Sequence, residues 1–188
     1  MVELSGASSL FEARRAVRRL SAGIAWFEAR FAGAVVLVIL GLLLANVISR
    51  AFGVPLIWTD ELAIYLLAVG AFAGASLGIH NRHHIAVTLV SDMLPESQRR
   101  GLALAVDVTL LAIFLCLGWM LWLWFDPVGV LSAESLKAYA RESFNFIYQE
   151  PTTTLGVRKI WFWLALPMFC IAGTVHVLAS FGEAGEAR

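Results

Sequence analysis

Little in this sequence points to chemistry. Its 188 residues include only two cysteines, Cys116 and Cys170. Both lie inside apolar runs, where a thiol behaves as a small hydrophobe, so no disulfide framework is expected. Neither sign of charge is in excess, with 14 basic against 14 acidic residues, which leaves no electrostatic footprint for nucleic acid. A cleavable leader is not expected either. The first long apolar run begins only near Phe31, too late for a short charged n-region, and no small-x-small cleavage site follows it. The two halves do not repeat, and no pair of interrupted helices marks a substrate site of the chain's own.

What the chain has is apolar length. Apolar residues make up 60% of it and the mean hydropathy is +0.78. A soluble domain is nearer half apolar, so composition alone places the chain in a bilayer. Phe31 to Ile48 is an 18-residue run whose only strongly polar member is Asn46. At 1.5 Å per residue it spans roughly 27 Å, close to the hydrocarbon thickness of about 30 Å. Further spans are expected over 62–79, 102–125 and 160–181. The expected fold is an all-α membrane protein, a single membrane domain over 1–188 with four transmembrane helices.

Two further helices are expected at the surface. In residues 1–27, Leu10, Ala13, Val17, Leu20 and Ile24 recur at steps of three and four. Arg14, Arg15, Arg18 and Arg19 flank that stripe, and Ser9 with Glu12 fits a capping box. Such an N-terminal amphipathic helix is expected to lie in the headgroup plane, with a solvated tail as the alternative. In the link 126–158, Leu136, Tyr139, Ala140, Phe144 and Ile147 fall on one side of a second amphipathic helix, over 132–148. Pro151 and the run Thr152 to Thr154 end it. Pro167 is expected to kink the last span.

The densest stretch runs from Trp58 to Leu94. Thr59 is the expected N-cap of the second span, and Asp60 and Glu61 follow in the first turn, where backbone N–H groups and the helix dipole favour negative charge. A contact with a basic group on a partner explains the two acids equally well. Gly70, Gly74 and Gly78 then repeat at four-residue spacing with Ala71 and Ala75 alongside, a flat face that lets another backbone approach closely. His80, Arg82, His83 and His84 close the span, basic groups suited to lipid phosphate or a partner. His80 and His84 are four apart, but no carboxylate or cysteine converges on them in sequence, so no metal and no cofactor is expected. Asp107, about seven residues into the third span, is a carboxylate at a costly depth. It either has a function, reaches interfacial water or pairs with an arginine of the preceding turn.

Basic residues set the orientation. Arg14, Arg15, Arg18, Arg19, Arg30, Arg82, Arg99, Arg100 and Arg188 fall on one side, against Arg50, Lys137, Arg141, Arg158 and Lys159 on the other. Both termini are therefore expected in the cytoplasm, and the 132–148 helix in the periplasm. Trp58, Trp119, Trp122, Trp124, Trp161 and Trp163 gather at the outer face, as an aromatic belt does.

Three motifs in order carry a resemblance. Asp60-Glu61-Leu62-Ala63 with Tyr65 opens the second span. His84, Ile85 and Val87 precede a Leu94-Pro95 break. Thr154-Leu155-Gly156-Val157 leads to Trp161 and Leu164-Ala165-Leu166-Pro167. Over roughly residues 25–181 the chain resembles the small, DctQ-type membrane subunit of the tripartite ATP-independent periplasmic (TRAP) transporters. It departs from the family pattern at Ile64, often arginine there, and at Thr88, often aspartate. The resemblance implies a scaffold of the bacterial or archaeal inner membrane that is not an enzyme. It would bind a large elevator-type subunit driven by a sodium gradient, while a periplasmic binding protein delivers an organic acid. Asp60, Glu61, Tyr65, Gly70, Gly74, Gly78, Arg82, His84 and Asp107 are the candidate contacts with that partner or with phospholipid. Two other readings compete: a haem protein ligated by His80 or His84 and His176, and a small exporter carrying protons on Asp107 or Glu61.

Overall fold

The computed structural model describes residues 2–81 and 94–183. Their elements are α1 (Val2–Ala51), α2 (Ile57–His80), α3 (Glu96–Phe125), α4 (Pro127–Ser132), α5 (Leu136–Ser143), α6 (Ile160–Trp163) and α7 (Ala165–Glu183). Among the described residues the chain is all helical, apart from one isolated bridge between Pro151 and Arg158. Four stretches are long and apolar enough to cross a membrane: Phe11–Ala51, Ile57–His80, Gln98–Ser132 and Ile160–Phe181.

The expected interfacial helix over 1–27 is not a separate element. Nothing between Ser21 and Phe31 breaks a helix, and α1 runs unbroken from Val2, so no helix begins after Ser9. Its inward stripe is also not the one the leucines suggest. Leu20 is 55% exposed, whereas Ser21, Ala25 and Glu28 are buried. Gly53 ends this helix, at φ +75°, and Val54 N–H closes the turn on the Ser49 carbonyl at 3.0 Å. After Pro55 the chain enters α2 at Ile57, a turn earlier than expected. Thr59 is consequently inside the helix rather than its cap, and its hydroxyl donates to the Leu56 carbonyl at 2.6 Å.

The helix that positions the others is α7, which touches α1, α2 and α3. A third of its span (33%) is buried, against 11% in each of the other three. Its core contacts join Phe114 and Leu121 of α3 to Cys170 and Val177. The approach is closest at Gly173, where an added Cβ would sit 2.2 Å from the Phe114 ring. The last span is interrupted between α6 and α7, at Leu164. Pro167 explains the place: it has no N–H to give the Trp163 carbonyl, and its ring crowds that turn.

Between α3 and α6 the chain builds a cap on the far end of the bundle. Asp126 takes a left-handed conformation, φ 38°, that ends α3 and begins α4, with its carboxylate accepting from Gly129 N–H at 3.0 Å. The Tyr139 hydroxyl donates to the same carboxylate at 3.2 Å. Ser135 caps α5 by accepting from Ala138 N–H at 3.1 Å. The helix expected over 132–148 ends at Ser143, because Phe144 turns left-handed (φ 55°) and leaves its ring 81% exposed. Tyr139, Ala140 and Ile147 do bury, as their spacing suggested.

Candidate functional site: two polar clusters, one at each end of the bundle

Polar side chains inside the bundle collect at two levels. Glu28 and Asn46 of α1 are 18 residues apart, about 27 Å along a helix. Asp60 and His80 of α2 are 20 apart, about 30 Å. Both separations match a hydrocarbon core of about 30 Å. The interior between these levels is apolar enough to keep the polar groups at the boundaries, where their desolvation costs least.

At the far end, Asp60 joins α2 to α1. Asn46 Nδ2 donates to Asp60 Oδ1, Arg50 Nη2 donates to Asp60 Oδ2 at 2.9 Å, and Arg50 Nε donates to Asn46 Oδ1 at 3.1 Å. The basic partner of this acid is therefore in the same chain. Glu61 does something different with its neighbours in sequence and in space. Thr152 to Val157 form a tight hairpin, closed by Thr152 N–H on the Val157 carbonyl at 2.8 Å with Gly156 at φ +71°. The tip points its donors at Glu61. Thr153 N–H donates at 2.7 Å, Thr154 N–H at 2.6 Å, the Thr154 hydroxyl at 2.6 Å and Leu155 N–H at 3.3 Å. Four donors meeting one carboxylate form an anion cradle built from backbone and one hydroxyl. Four residues on, Tyr65 stacks on Phe162 with centroids 4.3 Å apart. An ion pair with Glu150 holds the Lys159 ammonium above its ordinary range. Together these contacts tie the start of α2 to the entry of the last span.

The near end holds a second cluster, of which the sequence reading brought together only His80 and His176, as ligands of a haem. The Ser21 hydroxyl lies 2.8 Å from His176 Nδ1 and 3.0 Å from His80 Nδ1, and His176 Nε2 lies 3.2 Å from Glu28 Oε2. Three helices, α1, α2 and α7, contribute. His176 is 2% exposed and has both ring nitrogens engaged, and the two imidazoles stand 5.0 Å apart around one hydroxyl. Axial haem ligation needs a free ring nitrogen and a porphyrin's room beside it, so this geometry does not favour the haem reading. Neither Ser21 nor Glu28 had been singled out. Their spacing with Ala25, four and then three, was the available signal.

The small-residue face is only partly used within the chain. A Cβ on Gly70 would meet Val35 of α1 at 3.1 Å, so this glycine permits the α1–α2 approach. Beside Gly74 and Gly78 there is nothing within 4 Å. Asp107 is buried, 6% exposed, and is not without interactions. Arg82, His83 and His84, with Ile85, Val87 and Thr88, lie outside the described residues.

Four helices of membrane length with polar groups confined to two levels define a multi-pass membrane protein of the helical-bundle class. Residues 39–184 match the family described as "Tripartite ATP-independent periplasmic transporters, DctQ component", and the chain belongs to that family, the small permease subunits of TRAP transporters. It is similar to the sialic acid TRAP transporter permease protein SiaT of Haemophilus influenzae, 27% identical over 141 residues that make up 74% of this chain and 20% of that protein. It is also similar to the sialic acid TRAP transporter small permease protein SiaQ of Vibrio cholerae, 26% identical over 114 residues, 61% of this chain and 55% of that protein. The chain thus spans a fifth of the first relative's length and about half of the second's. No solved structure matches.

Proposed function

We propose that this chain is the anchoring subunit of a sodium-coupled TRAP transporter for an organic acid. It would be a rigid inner-membrane scaffold that holds a large elevator-type subunit in place while a periplasmic protein delivers the substrate. The observation that carries this is the uneven coverage of the bundle. Only α7 is substantially surrounded, while the α2 face bearing Gly74 and Ala75 is uncovered and free of bulk. Lipid can cover any apolar face, but a flat one built of small residues is suited to another helix backbone. At the far end Asp60 is engaged by Arg50 and Glu61 by the hairpin, and Asp107 is buried with interactions of its own. That argues for a structural role and against a self-contained exporter. Both termini are placed in the cytoplasm and the α4–α5 cap in the periplasm.

Co-purification tests the assembly. Tagged chain drawn from native membranes in mild detergent should bring down a much larger polytopic protein in equal amount, and recovery of the chain alone would defeat the proposal. Gly74→Leu, which adds bulk where this chain has none, should lower the yield of that complex several-fold while leaving the isolated subunit's thermal stability within about 0.5 kcal/mol. Orientation is read separately. A cysteine replacing Ser135, exposed at the N-cap of α5, should react with a membrane-impermeant maleimide in intact spheroplasts. Labelling only after the cytoplasmic face is opened would invert the topology.

A further inference from the structure

The Ser21 hydroxyl has one proton to give and two imidazole nitrogens to satisfy. One of the two Nδ1 atoms must therefore carry a hydrogen and donate it. Glu28, when ionised, only accepts, so His176 Nε2 carries a hydrogen. With His176 neutral its Nδ1 is bare and accepts from Ser21, which obliges His80 Nδ1 to donate to Ser21. The chain then runs in one direction, His80 to Ser21 to His176 to Glu28. With His176 cationic the first two links reverse: His176 Nδ1 donates to Ser21, and Ser21 donates to His80.

These two arrangements differ by one proton, and the geometry points to a function for the difference. We propose that His80, Ser21, His176 and Glu28 form a proton-binding site at the end of the bundle. A proton from water adds to the half-buried His80 ring at Nε2, the nitrogen that does not face Ser21. The N–H bond at His80 Nδ1 then breaks as an O–H bond forms on Ser21. The original Ser21 O–H bond breaks as an N–H bond forms at His176 Nδ1. His80 is left neutral with its other nitrogen protonated, Ser21 is again a hydroxyl with its hydrogen turned, and the added charge rests on His176 against Glu28. No reorganisation of heavy atoms is required.

The titratable groups in contact within this site are Glu28 on α1, His80 on α2 and His176 on α7. Arg18 stands one turn before Ser21 on α1, and on α3 the buried Asp107 comes about one turn before Leu110 and Leu111, which pack against the Val177 cluster. Arg18 and Asp107 have interactions of their own. With both imidazoles neutral, the four-residue chain carries the single negative charge of Glu28, buried at 8% exposure. One bound proton cancels that charge, and it converts the α1–α7 link from a hydrogen bond with one charged partner to an ion pair in which both partners are charged. Two protons would place two cations 5.0 Å apart around one hydroxyl, so the site takes one. The site stands apart from the transport reading: it concerns how tightly α1, α2 and α7 are joined, whatever the assembly carries.

The experiment is nitrogen NMR of the full chain, labelled with 15N-histidine and held in phospholipid nanodiscs, from pH 5 to 9. The four histidines are assigned with single His→Asn variants. The expected result is that His176 passes from one protonated ring nitrogen to two as pH falls while His80 keeps one, exchanging which nitrogen bears it. Ser21→Ala should uncouple them, so that the His80 tautomer no longer follows His176. Glu28→Gln should remove the doubly protonated His176 from this pH range. A His176 that stays singly protonated throughout in the unaltered chain overturns the proposal without reliance on any variant. So does a His80 that becomes doubly protonated before His176 does, or a response unchanged in both variants.

Discussion

Gly173→Leu is expected to cost about 3 kcal/mol or more, near the upper end for overpacked interiors. A Cβ at this position would already lie 2.2 Å from the Phe114 ring tip and 2.5 Å from the next ring carbon. The ring cannot retreat cheaply. Phe114 is 4% exposed, packs edge-on against Phe169 with centroids 5.3 Å apart, and lies in the cluster that joins α3 to α7. Since α7 also contacts α1 and α2, displacing α3 from it opens the buried apolar cluster of Phe114, Leu121, Cys170 and Val177. The measurement is thermal unfolding in detergent, together with the double variant Gly173→Leu with Phe114→Ala. If the two side chains collide as described, removing the ring returns part of the loss, and the interaction energy in the cycle is favourable by about 1 kcal/mol or more. Gly118→Ala is the internal comparison. Its Cβ would meet the Cys170 sulfur at 3.4 Å, an ordinary contact, and stability should change by less than about 1 kcal/mol. Equal losses for Gly118→Ala and Gly173→Leu would mean that α3 and α7 do not meet through this glycine.

Glu61→Ala should release the Thr152–Val157 hairpin. The carboxylate is the shared acceptor of four donors, three of them backbone N–H groups at the hairpin tip. Without it those donors face solvent or one another. Amide exchange at Thr153, Thr154 and Leu155 is expected to quicken roughly tenfold or more, as for a segment that opens locally. Amides elsewhere in α2 should keep their rates. Glu61→Gln separates charge from shape. Its amide nitrogen is a donor turned towards donors, so it should behave closer to alanine than to glutamate. Glu61→Asp retains the charge but shortens the reach, and should keep some donors and lose others. Protection unaltered in Glu61→Ala would show that the hairpin holds itself through Thr152 and Val157 alone.

The spans were legible because hydropathy and length suffice to find them, and their boundaries were not because polar residues can lie inside a helix at an interface. Thus α2 begins at Ile57 although Thr59 read as its N-cap, and α3 begins at Glu96 although Arg99 and Arg100 read as a link. The kink expected from Pro167 was readable because a missing N–H acts at a known offset. The glycine face was half readable. The four-residue repeat drew attention to Gly70, Gly74 and Gly78, of which only Gly70 meets another helix among the described residues, while Gly173 stands outside any repeat and makes the closest approach between helices. The polar cluster was the least legible part. Ser21 and His176 are 155 residues apart, and a pattern along one helix says nothing about which residue of another will face it. Glu28 was hidden for a simpler reason. Next to Arg30 and just before an apolar run, it looked like an ordinary flank, and only burial sets it apart.

The unbroken first helix has a mechanical consequence. Fifty residues of α-helix measure about 75 Å, whereas a bilayer with its headgroups is about 40–45 Å thick. If Asn46 and Glu28 mark the two edges of the hydrocarbon, some 26 residues from Glu28 back to Val2 form a stiff arm of about 39 Å beyond the Glu28 edge. A rigid arm magnifies angle into distance. A change of about 10° in tilt at Glu28 sweeps its tip through roughly 7 Å, so small adjustments of the helix within the bilayer are legible as displacements well outside it.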